Sequence, residues 1–314
     1  MQLNSGLGIY WSSMQHAQIG LDPRIARCFS NLNKQELRFV EALTRAHTPE
    51  EIALFSVEYD IKANRCVQII NSLQQAQLFE PQELADISPK LLNEYRANWR
   101  IHRTLPVTRT QVCVEIPYLN WIGTEIVLAL AESGIGRLKL CDTKFTGQRS
   151  HPVLRENYIG LRKNRALASY LRANSPHIET VVSNYTATGI KRAENPTPHL
   201  AIVTGSNSID PIEINDYLSR SIPALIVITE EIDITIGPLC LPDFGPCGMC
   251  LERYRSTAET NWAVISPQAR TIQNLPTPLA SSRLAAALAL RAALEYIDAL
   301  EIIPSQKVLP PKKF

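Results

Sequence analysis

An alternation of short apolar runs with helical segments, which begins near residue 105, constrains the fold of this chain more than any other feature. The run VTRTQVCVEI at 107–116 precedes the helical segment TEIVLALAESG, and the apolar run GRLKLCD follows and ends at Asp142. Two parallel strands need a crossover of a dozen or more residues between them, usually a helix. The spacing therefore predicts a βαβ unit at 107–142.

The same alternation continues toward the end of the chain. Helical periodicity covers 162–176 and the segment DPIEINDYLSRS, while strand-like patterns occur in HIETVVSNY, HLAIVTGSNS and IPALIVITE. A long apolar helix is expected at about 281–300, packed on the sheet or on another subunit. Strands and helices that alternate at these lengths predict an α/β domain over 105–314, with a Rossmann-like, mostly parallel sheet covered on both faces.

The first hundred residues have a different pattern, which predicts a separate helical module at 1–100. Helical spacing appears in the three segments NKQELRFVEAL, HTPEEIALF and ANRCVQIINSLQQAQLFE. In the second segment, Thr48 and Glu51 can form a capping box with a proline at the first helical position. The alternation of Ile9 and Trp11 predicts a short hairpin upstream. Three short helices that end in LFEP are typical of a winged-helix module.

The charge balance and the cysteines limit the classes of partner. A net charge of +2 over 314 residues gives no strong attraction to nucleic acid or to an anionic membrane. The third helical segment offers Arg65 but is otherwise rich in Gln and Asn, which disfavours DNA binding and leaves peptide binding or domain packing. Charged residues interrupt the most apolar segment, so no membrane span is predicted. Seven cysteines without an export signal predict reduced thiols in a cytoplasmic protein.

Three motifs carry a family resemblance that extends over nearly the whole chain. The segments are AESGIGRLKLCD at 131–142, NYIGLRKNRALASYLRANSP at 157–176 and IGPLCLPDFGPCGMCLERYR at 236–255. They resemble the motifs of ThiF/MoeB-type adenylating enzymes in the ubiquitin-activating superfamily. The third motif and the N-terminal module are similar to an actinobacterial, azole-peptide cyclodehydratase-like subgroup that binds leader peptides. The resemblance implies a site for ATP and Mg²⁺ and a homodimer formed through the nucleotide-binding domain.

The phosphate-binding turn departs from the family pattern. The family's three glycines correspond to Tyr118, Asn120 and Gly123 in this sequence. The first two would allow a tight turn and the close approach of phosphates, and the third allows close packing of the helix on the strand. Only Gly123 is kept, and Pro117 also removes an amide donor at the end of the strand. The resemblance therefore implies a degenerate member.

The other nucleotide contacts implied by the resemblance are mixed. Asp142 corresponds to the acid that binds the ribose, Lys163 to a lysine that contacts the phosphates, and Arg149 lies near the family's arginine. At the position of the family's next acidic residue, this sequence has Lys144 instead. After HLAIVTG the family has acids that hold Mg²⁺, whereas this chain has none before Asp210, which is expected to cap the next helix. The remaining candidates for a degenerate ATP site are Asp142, Lys163, Arg149, Gly123 and Asn120.

The cysteines near the third motif leave three interpretations open. Cys247 and Cys250 form half of the four-thiolate zinc site that is typical of the superfamily, but no cysteine follows Cys250. Cys240 is a candidate third ligand, with His199 or His151 as a conceivable fourth. The alternatives are a reactive thiol pair at the start of a helix and a plain loop that leads into the helix LERYR.

We therefore carry three functional hypotheses from the sequence. The leading hypothesis is a degenerate ThiF-family protein that binds a peptide or small protein as a scaffold, by β-augmentation, with a lost or weak ATP site. The alternative is an active adenylyltransferase that activates the C-terminal carboxylate of a ubiquitin-like protein, a sulfur-carrier protein or a precursor peptide. The third is a winged-helix regulator, which the missing basic patch disfavours.

Overall fold

The structure is a computed structural model that describes residues 1–13, 16–155, 157–182, 196–272, 275–302 and 308–309. The chain divides into two units, Met1–Pro106 and Val107–Phe314. Each unit has its own cluster of buried apolar side chains. The two units are therefore described separately.

The first unit consists of a small antiparallel sheet followed by helices. Its three strands pair in the order β1-β2-β3. The predicted hairpin and the first three helices are confirmed, whereas the sequence predicts neither β3 nor α4; the winged-helix likeness stays a prediction. The elements are β1 (Ile9–Ser13), β2 (His16–Ile19), β3 (Arg27–Ser30), α1 (Lys34–Ala42), α2 (Pro49–Glu58), α3 (Ala63–Gln75) and α4 (Leu92–His102).

Side-chain caps define where α1 and α2 begin. Thr48 and Glu51 form the predicted capping box at the start of α2.

Arg65, the basic residue of α3, donates to Glu36 Oε1 at 2.8 Å and to the carbonyl of Asn31 at 2.9 Å. Because this guanidinium already has anionic and carbonyl acceptors within its own unit, it is poorly placed to contact a nucleic-acid phosphate.

The second unit alternates strands and helices as the sequence predicts. Among the described residues, its short strands β10 and β11 pair with each other alone. The elements are β4 (Cys113–Ile116), α5 (Trp121–Glu132), β5 (Arg137–Leu140), α6 (Pro152–Arg155), α7 (Lys163–Asn174), β6 (Glu179–Val182), β7 (Leu200–Ser206), α8 (Pro211–Ser219), β8 (Ala224–Thr229), β9 (Ile234–Cys240), α9 (Gly248–Ala258), α10 (Trp262–Ala269), α11 (Leu279–Asp298), β10 (Glu301–Ile302) and β11 (Val308–Leu309).

The main sheet has six strands in the order β6-β5-β4-β7-β8-β9. All neighbours are parallel except β8 and β9, which are antiparallel. The mixed α/β, mostly parallel architecture is therefore confirmed. Two details differ from the prediction: residues Val107–Gln111 form a 3₁₀ helix instead of the start of a strand, and β9 is not predicted. The chain order reverses between β4 and β7, and ligands of open α/β sheets bind at such a switch point.

Helices cover both faces of this sheet. Along β8, Leu225 and Val227 join the cluster formed with α5, α7 and α11, whereas Ile226 and Ile228 join the cluster on the side of α8. This alternation is expected for a strand buried on both faces. Three buried alanines of α11, at 285, 289 and 293, keep that helix close to its neighbours. Within the described residues, no helix is long and apolar enough to cross a membrane.

One buried arginine ties three segments of the second unit together. The side chain of Arg109 is 3% exposed and binds Asp298 at the end of α11 through two hydrogen bonds, of 2.8 and 2.7 Å. Its third contact is the carbonyl of Ser133, which ends α5, at 3.1 Å. The guanidinium thus joins the entry to β4 with the C-terminal ends of α5 and α11.

Replacing Asp298 with Ala is expected to lower the free energy of unfolding by about 3 kcal/mol, because Arg109 would keep a buried charge without its carboxylate. The matched control is Arg291→Ala on the same helix. That change removes an exposed pair with Glu295 and is expected to cost less than about 1 kcal/mol. Urea unfolding followed by circular dichroism measures both variants. Equal losses in the two variants would contradict this interpretation of Arg109.

Candidate functional site

A cleft of about 160 Å³ lies at the carboxyl ends of β4 and β7, where the strand order reverses. Typical small-molecule sites enclose roughly 300–1,000 Å³, so the free space here is small. Three of the five sequence-predicted ATP-site residues line it, namely Asn120, Asp142 and Lys163. The side chains that line the cleft come from Tyr118, Asn120, Asp142, Lys144, Lys163, Thr204, Ser206, Ser208, Ile209, Asp210, Glu213, Arg270 and Ile272.

The turn between β4 and α5 is closed by its own side chains. Asn120 caps α5, and its Oδ1 accepts a hydrogen bond from the N–H of Gly123 at 2.8 Å and another from Thr204 Oγ1 at 3.1 Å. A helix N-terminus offers its unpaired N–H groups to anions. Because Asn120 binds the N–H of Gly123, that amide is already paired and a phosphate would have to displace the cap.

Gly123 is needed for the packing of this turn. A Cβ atom at this position would lie 2.3 Å from the carbonyl oxygen of Tyr118, which is closer than atoms can approach. The same Cβ would lie 3.1 Å from Asn120 Oδ1 and 3.1 Å from Thr204 Oγ1. The glycine does not itself line the cleft. Its contribution is to let the start of α5 pack tightly on the end of β4.

Asp142 lies at the end of β5, and both of its carboxylate oxygens accept hydrogen bonds from the chain itself. Oδ2 accepts from the N–H of Leu119 at 2.9 Å and from Lys163 Nζ at 3.3 Å. Oδ1 accepts from the N–H of Lys144 at 3.0 Å. Asp142 and Lys163 are both buried, so the pair is shielded from solvent. The contacts stabilise the turn before α5 and the start of α7.

Tyr118 extends from the turn toward α8. Its hydroxyl donates to Glu213 Oε2 at 2.9 Å. Burial, together with the neighbouring Glu213, raises the pKa of Tyr118 above its ordinary value. Burial is also the main cause that raises the pKa of Glu213, and the nearby Asp210 acts in the same direction. The tyrosine ring and the acidic side chain therefore occupy the α8 side of the cleft.

The structure separates Arg149 from the other candidates. Arg149 is exposed in the turn between β5 and α6 and does not line the cleft. A different arginine does so: Arg270 lies 3.3 Å from Asp210, which caps α8 as the sequence predicts. Arg270 is far along the chain from every nucleotide motif. Only the folded arrangement brings it to this cleft, so sequence reasoning had no signal for it.

The cysteine candidates do not assemble into a three-ligand cluster. Cys247 Sγ and Cys250 Sγ lie 3.4 Å apart at the start of α9, whereas Cys240 is fully buried in β9. The proposed fourth ligands have other partners: His199 Nδ1 accepts from the N–H of Cys113 at 3.0 Å, and His151 lies 3.1 Å from Glu125. Over the described ranges, no three His, Cys, Asp or Glu side chains are placed to share a metal ion.

Comparison with solved structures finds proteins of similar fold, whereas two sequence comparisons give no match. No protein-family model matches the sequence, and no curated protein matches it either. The crystal structure of PaaA, determined with selenomethionine, is similar with a TM-score of 0.62 at 14% identity; the match covers 93% of this chain and 90% of PaaA.

The microcin C7 biosynthetic enzyme MccB is similar as well. Its complex with N-formylated MccA gives a TM-score of 0.61 at 14% identity, over 95% of this chain and 89% of MccB. The E. coli MccB structure with ATP gives a TM-score of 0.59 at 15% identity, over 95% and 88%. At these identities the likeness shows the fold alone. The chain therefore has a Rossmann-like α/β fold of the ThiF/MoeB type, shared with MccB and PaaA.

Proposed function

We propose that this chain binds an extended peptide at the open edge of its N-terminal sheet and that its nucleotide cleft has lost its ligand or binds it weakly. The observation that carries the proposal is the edge strand β3. Within the described residues β3 pairs with β2 alone, so one side of the strand keeps its main-chain donors and acceptors available. An added peptide strand satisfies such groups by β-augmentation.

The side chains of β3 suit this mode of binding. Arg27, Cys28 and Ser30 are exposed, while Phe29 is half-buried against the core of the first unit. Exposed edges of this kind are otherwise a hazard, because they template pairing with other chains. The MccB structure with N-formylated MccA is consistent with a partner chain for this fold. It supports testing a peptide first.

The cleft of the second unit supports the other half of the proposal. ATP needs amide donors around its phosphates and carboxylates that are free to hold Mg²⁺. Here Asn120 Oδ1 accepts the hydrogen bond of the Gly123 N–H, and both oxygens of Asp142 accept hydrogen bonds from the chain. The Tyr118 hydroxyl donates to Glu213. The residues present therefore do not fit a phosphate cradle in this arrangement.

Peptide binding is expected to protect β3 from hydrogen exchange. Short peptides encoded beside this gene are screened by fluorescence anisotropy, and the binders are then followed by amide exchange of the full-length protein. The amides of Arg27–Ser30 are expected to slow several-fold, since an added strand pairs with them. The other edge strand, β1 at Ile9–Ser13, serves as the internal control. Protection that falls on β1 instead, or on neither edge, would count against the β3 assignment.

ATP·Mg²⁺ is expected to give no saturable heat below low-millimolar concentration in a calorimetric titration, because a ligand would have to displace the cap of α5 and the Tyr118–Glu213 contact. Tyr118→Gly removes the ring and is expected to gain binding. Asp142→Asn in the Tyr118→Gly protein is the control that assigns any heat to this cleft. Saturation of the unaltered protein at micromolar ATP would contradict the hypothesis that the cleft has lost its nucleotide or binds it weakly.

The second candidate function is an adenylyltransferase. It is favoured by the presence of Asp142, Lys144 and Lys163 together at the switch point of the sheet, where this architecture binds nucleotides. Those residues would hold the nucleotide, whose bound Mg²⁺ would offset charge on the phosphates. ATP–pyrophosphate exchange that depends on an added carboxylate-bearing peptide would support this function over the scaffold. Its absence at saturating peptide would leave the scaffold.

We also propose that the chain pairs with a second copy through its second unit, as the family resemblance implies. Leu284 and Leu288 lie one turn apart on α11, at 62% and 46% exposure, on the face turned away from the sheet. Covering them with a second copy would remove apolar surface from water.

Light scattering at micromolar concentration is expected to report twice the chain mass, and Leu288→Glu is expected to shift the protein toward the monomer, because it would place a charge in an apolar interface. Arg291→Glu is the matched control, because it introduces the same carboxylate about one turn further along the helix, at an exposed position that is already charged. A monomeric mass for the unaltered protein would contradict the pairing.

A further inference from the structure

Two thiols form a close pair at the start of α9, outside the cleft and outside β3. Cys247 is the N-cap residue of the helix and Cys250 lies in its first turn. Their Sγ atoms are 3.4 Å apart. Cys250 is exposed and Cys247 is partly exposed. The pair is thus both preorganised and reachable from solvent.

A structural zinc site does not fit these residues. Such sites are closed by four ligands in a tetrahedron, and this helix start supplies two. No cysteine follows Cys250 in the sequence. Cys240 is the nearest further thiol, but burial raises its pKa to about 11, which opposes the thiolate form that a metal requires. The two cysteines therefore form a dithiol, because the second cysteine pair of the four-thiolate zinc site is missing.

The helix start favours thiolate chemistry at one of the two sulfurs. The backbone N–H of Cys250, and then its thiol 3.4 Å away, lower the pKa of Cys247. Thiols at helix N-termini and in Cys-x-x-Cys pairs commonly have lowered pKa values, and the thiolate is the species that attacks a disulfide. Cys247 is therefore the expected nucleophile and Cys250 the resolving thiol.

The backbone that carries the pair is held in place. The N–H of Gly248 donates to Asn215 Oδ1 at 2.9 Å, which anchors the first turn of α9 to α8. A Cβ atom at Gly248 would lie 2.4 Å from the carbonyl oxygen of Pro211, so the two helices are in direct contact at this point. The exposed side chains of Phe244 and Met249 flank the thiols. The surroundings combine a fixed backbone with an accessible, apolar surface.

We propose that Cys247 and Cys250 are a reversible dithiol–disulfide couple that exchanges with low-molecular-weight disulfides. In the first step the Cys247 thiolate attacks one sulfur of the small disulfide, forms a mixed disulfide and releases one small thiolate. In the second step Cys250, after losing its proton to solvent, attacks Cys247 Sγ and releases the second small thiolate. The protein dithiol is oxidised by two electrons, and the small disulfide is reduced to two thiols.

The test uses the full-length protein in glutathione buffers that run from reducing to oxidising. Samples are quenched with acid, alkylated, digested and analysed by mass spectrometry. The peptide that contains both cysteines is expected to lose two hydrogens and nearly all of its double alkylation in oxidising buffer, and to recover both after dithiothreitol. In Cys250→Ser, Cys247 is expected to accumulate as a stable mixed disulfide with glutathione, because the resolving thiol is gone.

Cys28 is the control, since it is an exposed thiol on β3 without a neighbouring cysteine in the described structure. It is expected to form only a mixed disulfide. Persistence of the doubly alkylated 247–250 peptide in buffer that modifies Cys28 would overturn the proposal. Zinc bound at one equivalent per chain in the purified protein, and lost in both Cys247→Ser and Cys250→Ser, would overturn it as well. Neither result depends on peptide or ATP binding, so this inference and the proposed function fail separately.

Discussion

The carboxylate of Asp142 is the contact on which the architecture of the candidate site depends. It joins the turn before α5, through the N–H of Leu119, to the start of α7, through Lys163. The family resemblance implies that an acid at the end of this strand contacts a ribose. In this structure, backbone N–H groups and a buried lysine donate to both oxygens, so the residue also holds these segments together.

The same contacts and the Asn120 cap hold the turn before α5 in place. Tyr118 reaches Glu213 across the cleft, and burial raises the pKa of both groups. The open side of β3 offers main-chain groups that an added strand could pair with, without a pocket.

Much of the fold could be predicted because local patterns were strong. The buried strands β7 and β8, the helices α7 and α8, and the caps at Thr48 and Asp210 all follow from short-range periodicity and side-chain capping. The predictions failed where the local pattern was ambiguous. Residues Val107–Gln111 have a β-rich composition but fold as a 3₁₀ helix, whose Arg109 is fixed by Asp298, 189 residues away.

The sequence by itself determined the alternation of strands and helices, the presence of Gly123 behind Tyr118 and Asn120, and the spacing of Cys247 and Cys250. These features depend on neighbours within a few residues, and a sequence displays such neighbours directly. Only the tertiary structure decided that both oxygens of Asp142 accept hydrogen bonds from its own chain, that Arg270 and not Arg149 lines the cleft, and that Cys240 is buried. Those outcomes depend on contacts between segments far apart in the chain, because packing and burial assign each polar group its partner.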